Sequence, residues 1–183
     1  MNNLTPPQTP LTLDGLMASI YENDRFIREK FAETDRLIKA NCEEIGGISK
    51  SNGEIAEAYF VSSFSKYPHF AGQDYQSVEH HKRFYSKELD LKDEYDLVLY
   101  NGTSVVIIEV KYNAKKKHVD QVLKKPATFK KLLPLYKDFT FYLGLAGLNV
   151  HEDAEKEAIA QGVAVIKQVG KKLVINDAHL RAF

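Results

Sequence analysis

The chain has 183 residues, 44% of them apolar and including ten Tyr and ten Phe, enough for one domain with a full core plus an appendage. Its 25 basic and 25 acidic residues cancel, so no global field draws it to DNA or an acidic membrane, and any nucleic-acid affinity needs a local basic patch. One cysteine, Cys42, excludes an internal disulfide, and neither a signal peptide nor a membrane-length apolar run is visible, so the expectation is a soluble cytoplasmic protein with no membrane partner.

Residues 1–12 hold three prolines and few apolar anchors and read as a flexible tail. Residues 13–47 read as a helical segment. Within it and just beyond, Ile20, Asp24, Ile27, Phe31, Thr34, Ile38, Asn41, Ile45 and Ile48 recur at alternating spacings of four and three. That is a heptad seam, and it predicts a homo-oligomer, a dimer by preference, joined through an N-terminal coiled coil. An amphipathic helix packed on its own domain is the alternative. The polar seam positions Asp24, Thr34 and Asn41 weaken the coil, while Asn41 suits the fixing of register.

Gly46 and Gly47 predict an end or kink, after which residues 48–183 form the main domain. Ser51 or Asn52 is a candidate cap for a second helix running to about Lys66, stopped by Pro68. Residues 74–86 alternate loosely and predict a first strand. Strands over 95–100 and 104–112 follow, then a Lys-rich helix over 117–136, a strand over 139–145 and a helix over 152–161. Strands over 163–168 and 172–175 close the chain, with Gly170-Lys171 as their turn. Strands interleaved with helices, plus two hairpins, predict an α/β domain on a mixed sheet.

The stretch EYDLVLYNGTSVVIIEVKYNAKKK, residues 94–117, carries the chemistry. Asn101-Gly102 is a hairpin signal between two β-rich runs. A two-residue loop sets Asp96 opposite Ile107; a loop two residues longer sets it opposite Glu109. Both registers keep the same parity. One face then carries Asp96, Val98, Val105, Ile107, Glu109 and Lys111. The other carries Tyr95, Leu97, Leu99, Val106, Ile108 and Val110. Two carboxylates held a cross-strand distance apart repel, and a divalent cation resolves the conflict. Carboxylates, a backbone carbonyl and waters are the oxygen donors Mg²⁺ prefers. Lys111 would hold a water or stabilise charge developing on a phosphate. A solvated ion pair at a strand end is the plain alternative.

These residues resemble the PD-(D/E)xK nuclease superfamily. "YD", followed across a hairpin by "EVK", carries the likeness, and it extends over residues 50–176 in the order helix, strand, hairpin, helix, strand, helix, strand. The resemblance implies a restriction-endonuclease-like fold, with Asp96 and Glu109 binding Mg²⁺ or Mn²⁺ and Lys111 assisting the nucleophile. The Val110 carbonyl would be a further ligand. The proline expected before the aspartate is replaced by Tyr95. Glu57 in "GEIAEAYF" matches the glutamate many members carry on the preceding helix. Gln121 in "HVDQVLKK" matches the glutamine of the following helix. Each has the alternative of an exposed helical side chain. The segment from "ETDR" to "AEAYF" is similar to a group of bacterial proteins that join a short heptad segment to a nuclease-like domain.

Eight lysines lie between residues 111 and 131, and Lys115, Lys116, Lys117, Lys124 and Lys125 are candidate contacts to a DNA backbone. Taken singly, each reads better as part of a solvated face; as a cluster beside the candidate metal site they suit a phosphate backbone equally well. His80-His81 lacks the spaced partners of a zinc site, and no phosphate-cradling glycine loop or nucleophile elbow is visible. The expectation is a Mg²⁺- or Mn²⁺-dependent nuclease hydrolysing phosphodiester bonds in DNA. The alternative is a catalytically silent nuclease-fold protein serving nucleic-acid binding or assembly.

Overall fold

The computed structural model describes residues 12–170 and 172–183, without the side chains of residues 35 and 38–45. The predicted tail therefore falls almost wholly outside the described residues. So do Lys171 and the side chains of Ile38, Asn41, Cys42 and Ile45.

The elements run α1 (Leu13–Lys66), β1 (His69–Phe70), β2 (Gln73–Asp74), β3 (Ser77–Ser86), β4 (Leu91–Tyr100), β5 (Ser104–Ala114) and α2 (Lys116–Leu132). A 3₁₀ turn (Pro134–Tyr136), β6 (Thr140–Val150), α3 (Glu152–Gln161), β7 (Ala164–Val169) and β8 (Lys172–Asn176) complete the chain. The fold is α/β, on a mixed six-stranded sheet with strands in sequential order from β3 to β8. β3–β4–β5 are antiparallel, β5–β6–β7 are parallel through α2 and α3, and β8 returns antiparallel. No helix among the described residues is long and apolar enough to cross a membrane.

The chain divides after Ser49 into two compact units. In the first, α1 leaves Ile20, Ile27, Phe31 and Ile48 exposed, with Phe31 at 68%. In the second, the sheet is covered on both faces. Ala56, Phe60 and Phe64 of α1, four residues apart, pack with Leu97, Leu99 and Ile108 on one face. Burying each such Phe is worth roughly 1.5–3 kcal/mol. Val119, Val122 and Phe129 of α2 pack with Val98, Ile107 and Phe141 on the other. A central strand covered from both sides must be apolar throughout, which is why Val105 to Ile108 run without a break.

Four expectations change. α1 is one continuous helix through Gly46 and Gly47, so neither the joint nor a cap at Ser51 or Asn52 forms there. A helical glycine costs about 1 kcal/mol against alanine, a penalty the surrounding turns absorb. The Lys-rich helix ends at Leu132, because Pro134 lacks the N–H needed to continue it and starts a 3₁₀ turn instead. The first main-sheet strand starts at Ser77, residues 73–74 belonging to a separate small hairpin. Finally, Tyr95 packs on the α2 face rather than with Leu97 and Leu99. Its neighbours there are Phe84 and Phe129, whose ring centroids lie 5.9 and 5.0 Å away.

Candidate functional site

The β4–β5 loop takes the longer of the two registers. Asn101 Oδ1 accepts the backbone N–H groups of Thr103 and Ser104 at 3.0 and 2.7 Å, closing a loop in which Tyr100 pairs with Val105. The ladder runs to Leu97 opposite Ile108 and stops. One rung further, the same register sets Asp96 opposite Glu109. There a side chain replaces strand pairing: the Val110 N–H donates to Asp96 Oδ2 at 2.8 Å.

Lys111 Nζ lies 3.1 Å from Asp96 Oδ2, 2.7 Å from Glu109 Oε1 and 2.9 Å from the Val110 carbonyl oxygen. Three oxygens, two of them from facing residues and one from the next backbone carbonyl, thus converge on one cationic nitrogen. Glu109 is only 7% exposed. Burial, then the Asp96 charge, pushes its carboxyl above the usual range against the pull of Lys111. Burial works to lower the Lys111 ammonium, but Asp96 and Glu109 outweigh it and hold Lys111 protonated above its ordinary range. In this arrangement Lys111 donates to both carboxylates.

Glu57 reaches this centre from α1. Its carboxyl is raised by burial and next by Asp96, and its Oε2 lies 3.1 Å from His81 Nδ1. Gln121 reaches it from α2, where it lines an open pocket of about 420 Å³ with Glu109, Lys111, Asp93, Lys124 and Lys125. All five residues expected to act together are thus disposed about one end of β4 and β5.

The lysines divide. Lys125 is largely buried; its ammonium lies 2.7 Å from Asp93 Oδ1 and 5.1 Å from the centre of the Tyr95 ring, and it donates to the Glu94 carbonyl. Thr128 donates to the other Asp93 oxygen. Burial would raise the Asp93 carboxyl, but the Lys125 and Thr128 hydrogen bonds outweigh it and the net shift is downward. Lys116 is exposed and pairs with Glu157 at 2.8 Å. Lys115, Lys117 and Lys124 are exposed, and among the described residues they make no ion pair. The Lys115 N–H is capped by His118 Nδ1 at 2.9 Å, an acceptor kept neutral by burial and by Lys111. Sequence reasoning missed Asp93 and His81. The only trace of Asp93 is its period-two spacing from Tyr95, and His81 stands out only as half of a His-His pair without the spaced partners of a zinc site.

Among the described residues, no group of three or more His, Cys, Asp or Glu side chains forms a metal cluster. The donor set is two carboxylates and a backbone carbonyl, hard oxygens only. A larger groove of about 780 Å³ lies between the end of α1 and β8, lined by Tyr59, Lys66, Tyr67, His69, Lys172 and Leu173 among others. Among the described residues its lining holds no carboxylate. Comparison with protein-family models, curated proteins and solved structures finds no match for this chain.

Proposed function

We propose that the protein is a Mg²⁺- or Mn²⁺-dependent nuclease of restriction-endonuclease-like fold that hydrolyses phosphodiester bonds in DNA. The observation that carries this reading is the convergence of Asp96 Oδ2, Glu109 Oε1 and the Val110 carbonyl on a single point, now held by Lys111 Nζ at 2.7–3.1 Å. A donor set able to surround one positive charge suits a hard divalent cation, with Lys111 displaced toward the substrate. Such an ion would supply Lewis acidity at the phosphate. Lys111 would orient water and offset charge on the phosphate. Glu57 and Gln121 would line the approach from opposite helices, and Lys115, Lys117 and Lys124 would track the backbone. The order of helices and strands and the α1/sheet/α2–α3 layering support the fold assignment. The exposed seam residues Ile20, Ile27, Phe31 and Ile48 support self-association through a coiled coil, in a cytoplasmic protein.

A second reading, a silent nuclease-fold binding module, is favoured by one observation. Lys111 already pairs with both carboxylates, so the point where a metal would sit is occupied by its ammonium. Cleavage assays on single-stranded, duplex and branched DNA with Mg²⁺ or Mn²⁺ separate the two. The hydrolase reading expects metal-dependent cutting that Lys111→Ala lowers by about 10²–10³-fold, the usual loss on removing one transition-state donor. Salt-sensitive binding with no cutting under any metal would leave the binding module.

A further inference from the structure

Of the non-glycine residues with positive φ among those described, Ala71 and Asp90 lie in turns, whereas His81, at φ 54°, lies inside β3. A left-handed residue within a strand is disfavoured for any side chain with a Cβ and marks a position the surroundings impose. The β3–β4 ladder pairs His80 with Leu97 and Lys82 with Tyr95, but not His81 with Asp96. The faces reverse at that gap. Val78 and Phe84 have the same parity on β3, yet Val78 packs on the α1 face and Phe84 on the α2 face. Leu97 and Tyr95 do the same on β4. Two strands thus report, independently, a ribbon that turns over at His81 and Asp96.

The turnover has a chemical result. Asp96 stands where the ribbon changes face, free of a strand partner on the β3 side, with Oδ2 on the Val110 N–H and on Lys111. On the α1 side, the imidazole of the same His81 meets Glu57 at 3.1 Å. We propose that His81 is a positioning residue of the site: its left-handed backbone turns Asp96 toward Glu109 and Lys111, and its imidazole holds Glu57 beside them. The placing of Asp96 stands on geometry alone; its use in hydrolysis rests on the function proposed above.

The Val110 amide reports the backbone role without any cleavage, because Asp96 is its acceptor. In metal-free full-length protein, His81→Val, whose branched side chain resists positive φ, is expected to speed Val110 hydrogen exchange roughly tenfold or more. His81→Gly, which adopts positive φ freely, is expected to keep Val110 protected. His81→Ala carries the same comparison if the valine variant does not fold. The carboxyl ¹³C shift of Glu57 at fixed pH reads the imidazole: it should move in His81→Gly and return in His81→Asn, which tolerates this backbone and keeps a donor. Unchanged Val110 exchange in folded valine and alanine variants overturns the backbone role. A Glu57 shift indifferent to glycine overturns the imidazole role. A protein that cuts no DNA yet gives the expected exchange pattern sinks the nuclease reading alone; one that cuts DNA while Val110 ignores His81 sinks this proposal alone.

Discussion

Lys111 and Lys125 line one pocket with the same charge, and their surroundings give them different work. Lys111 is held by two carboxylates at the point where a substrate phosphate would arrive. Lys125 is held by Asp93, the Glu94 carbonyl and the Tyr95 ring, with 14% of its side chain exposed against 17% for Asp93. A pair this enclosed costs much to break, because the partner left behind keeps an uncompensated charge. Lys125→Met should therefore destabilise the protein by about 2–3 kcal/mol in urea unfolding. Adding Asp93→Asn should recover part of the loss, giving a coupling on the order of 1 kcal/mol or more in a double-mutant cycle. Additive losses would mean that the two side chains do not act as a pair, and would return Lys125 to the DNA-facing surface where sequence reasoning placed it. That placement missed the pairing because Asp93 lies 32 residues away in the chain, and no local pattern announces a partner at that distance.

At the scale of the element, α1 keeps its hydrogen bonding across two adjacent glycines. Neither Gly46 nor Gly47 has positive φ, and a Cβ built on either meets nothing within 4 Å. Alanine therefore fits both positions. Gly46→Ala and Gly47→Ala should each stabilise the helix by about 0.5–1 kcal/mol, slowing local amide exchange about two- to fivefold. Exchange that quickens instead would show that the chain turns there, as the Gly-Gly pair suggests when read as sequence. The β3–β4 ribbon teaches the converse. Strict period-two alternation puts Tyr95 with Leu97, and the single left-handed residue at His81 reverses it. Histidine is somewhat favoured at positive φ, but the preference is too weak to mark one position inside a strand, so this reversal is not readable from the residues.

Across the whole molecule, the first unit presents large apolar side chains to solvent, Ile27 at 50% and Phe31 at 68%, between i,i+4 ion pairs such as Arg28 with Asp24. Apolar seam positions flanked by charge are the pattern of a helix awaiting another helix. Light scattering of the full chain should give a multiple of the single-chain mass, with a dimer expected, and removal of residues 1–49 should return a monomer. An unchanged mass on truncation would overturn the coiled coil. The second unit, with cores on both faces of its sheet, should keep its fold in that fragment, seen as an unaltered near-UV spectrum.

Short-range patterns determined a good deal by themselves. The α/β class and the helix–hairpin–helix order follow from local periodicity and turn signals, while period-two alternation and the Asn-Gly turn put Glu109 and Lys111 on one face and allow two hairpin registers. Choosing between those registers took the structure, because the sequence allows both loop lengths and Asn101 closes the four-residue one. So did the turnover at His81, the burial that raises Glu109, the enclosure of Lys125 and the approach of Glu57 to Asp96. These last four depend on groups far apart in the chain, and burial and charge act through space, where residue order has no say.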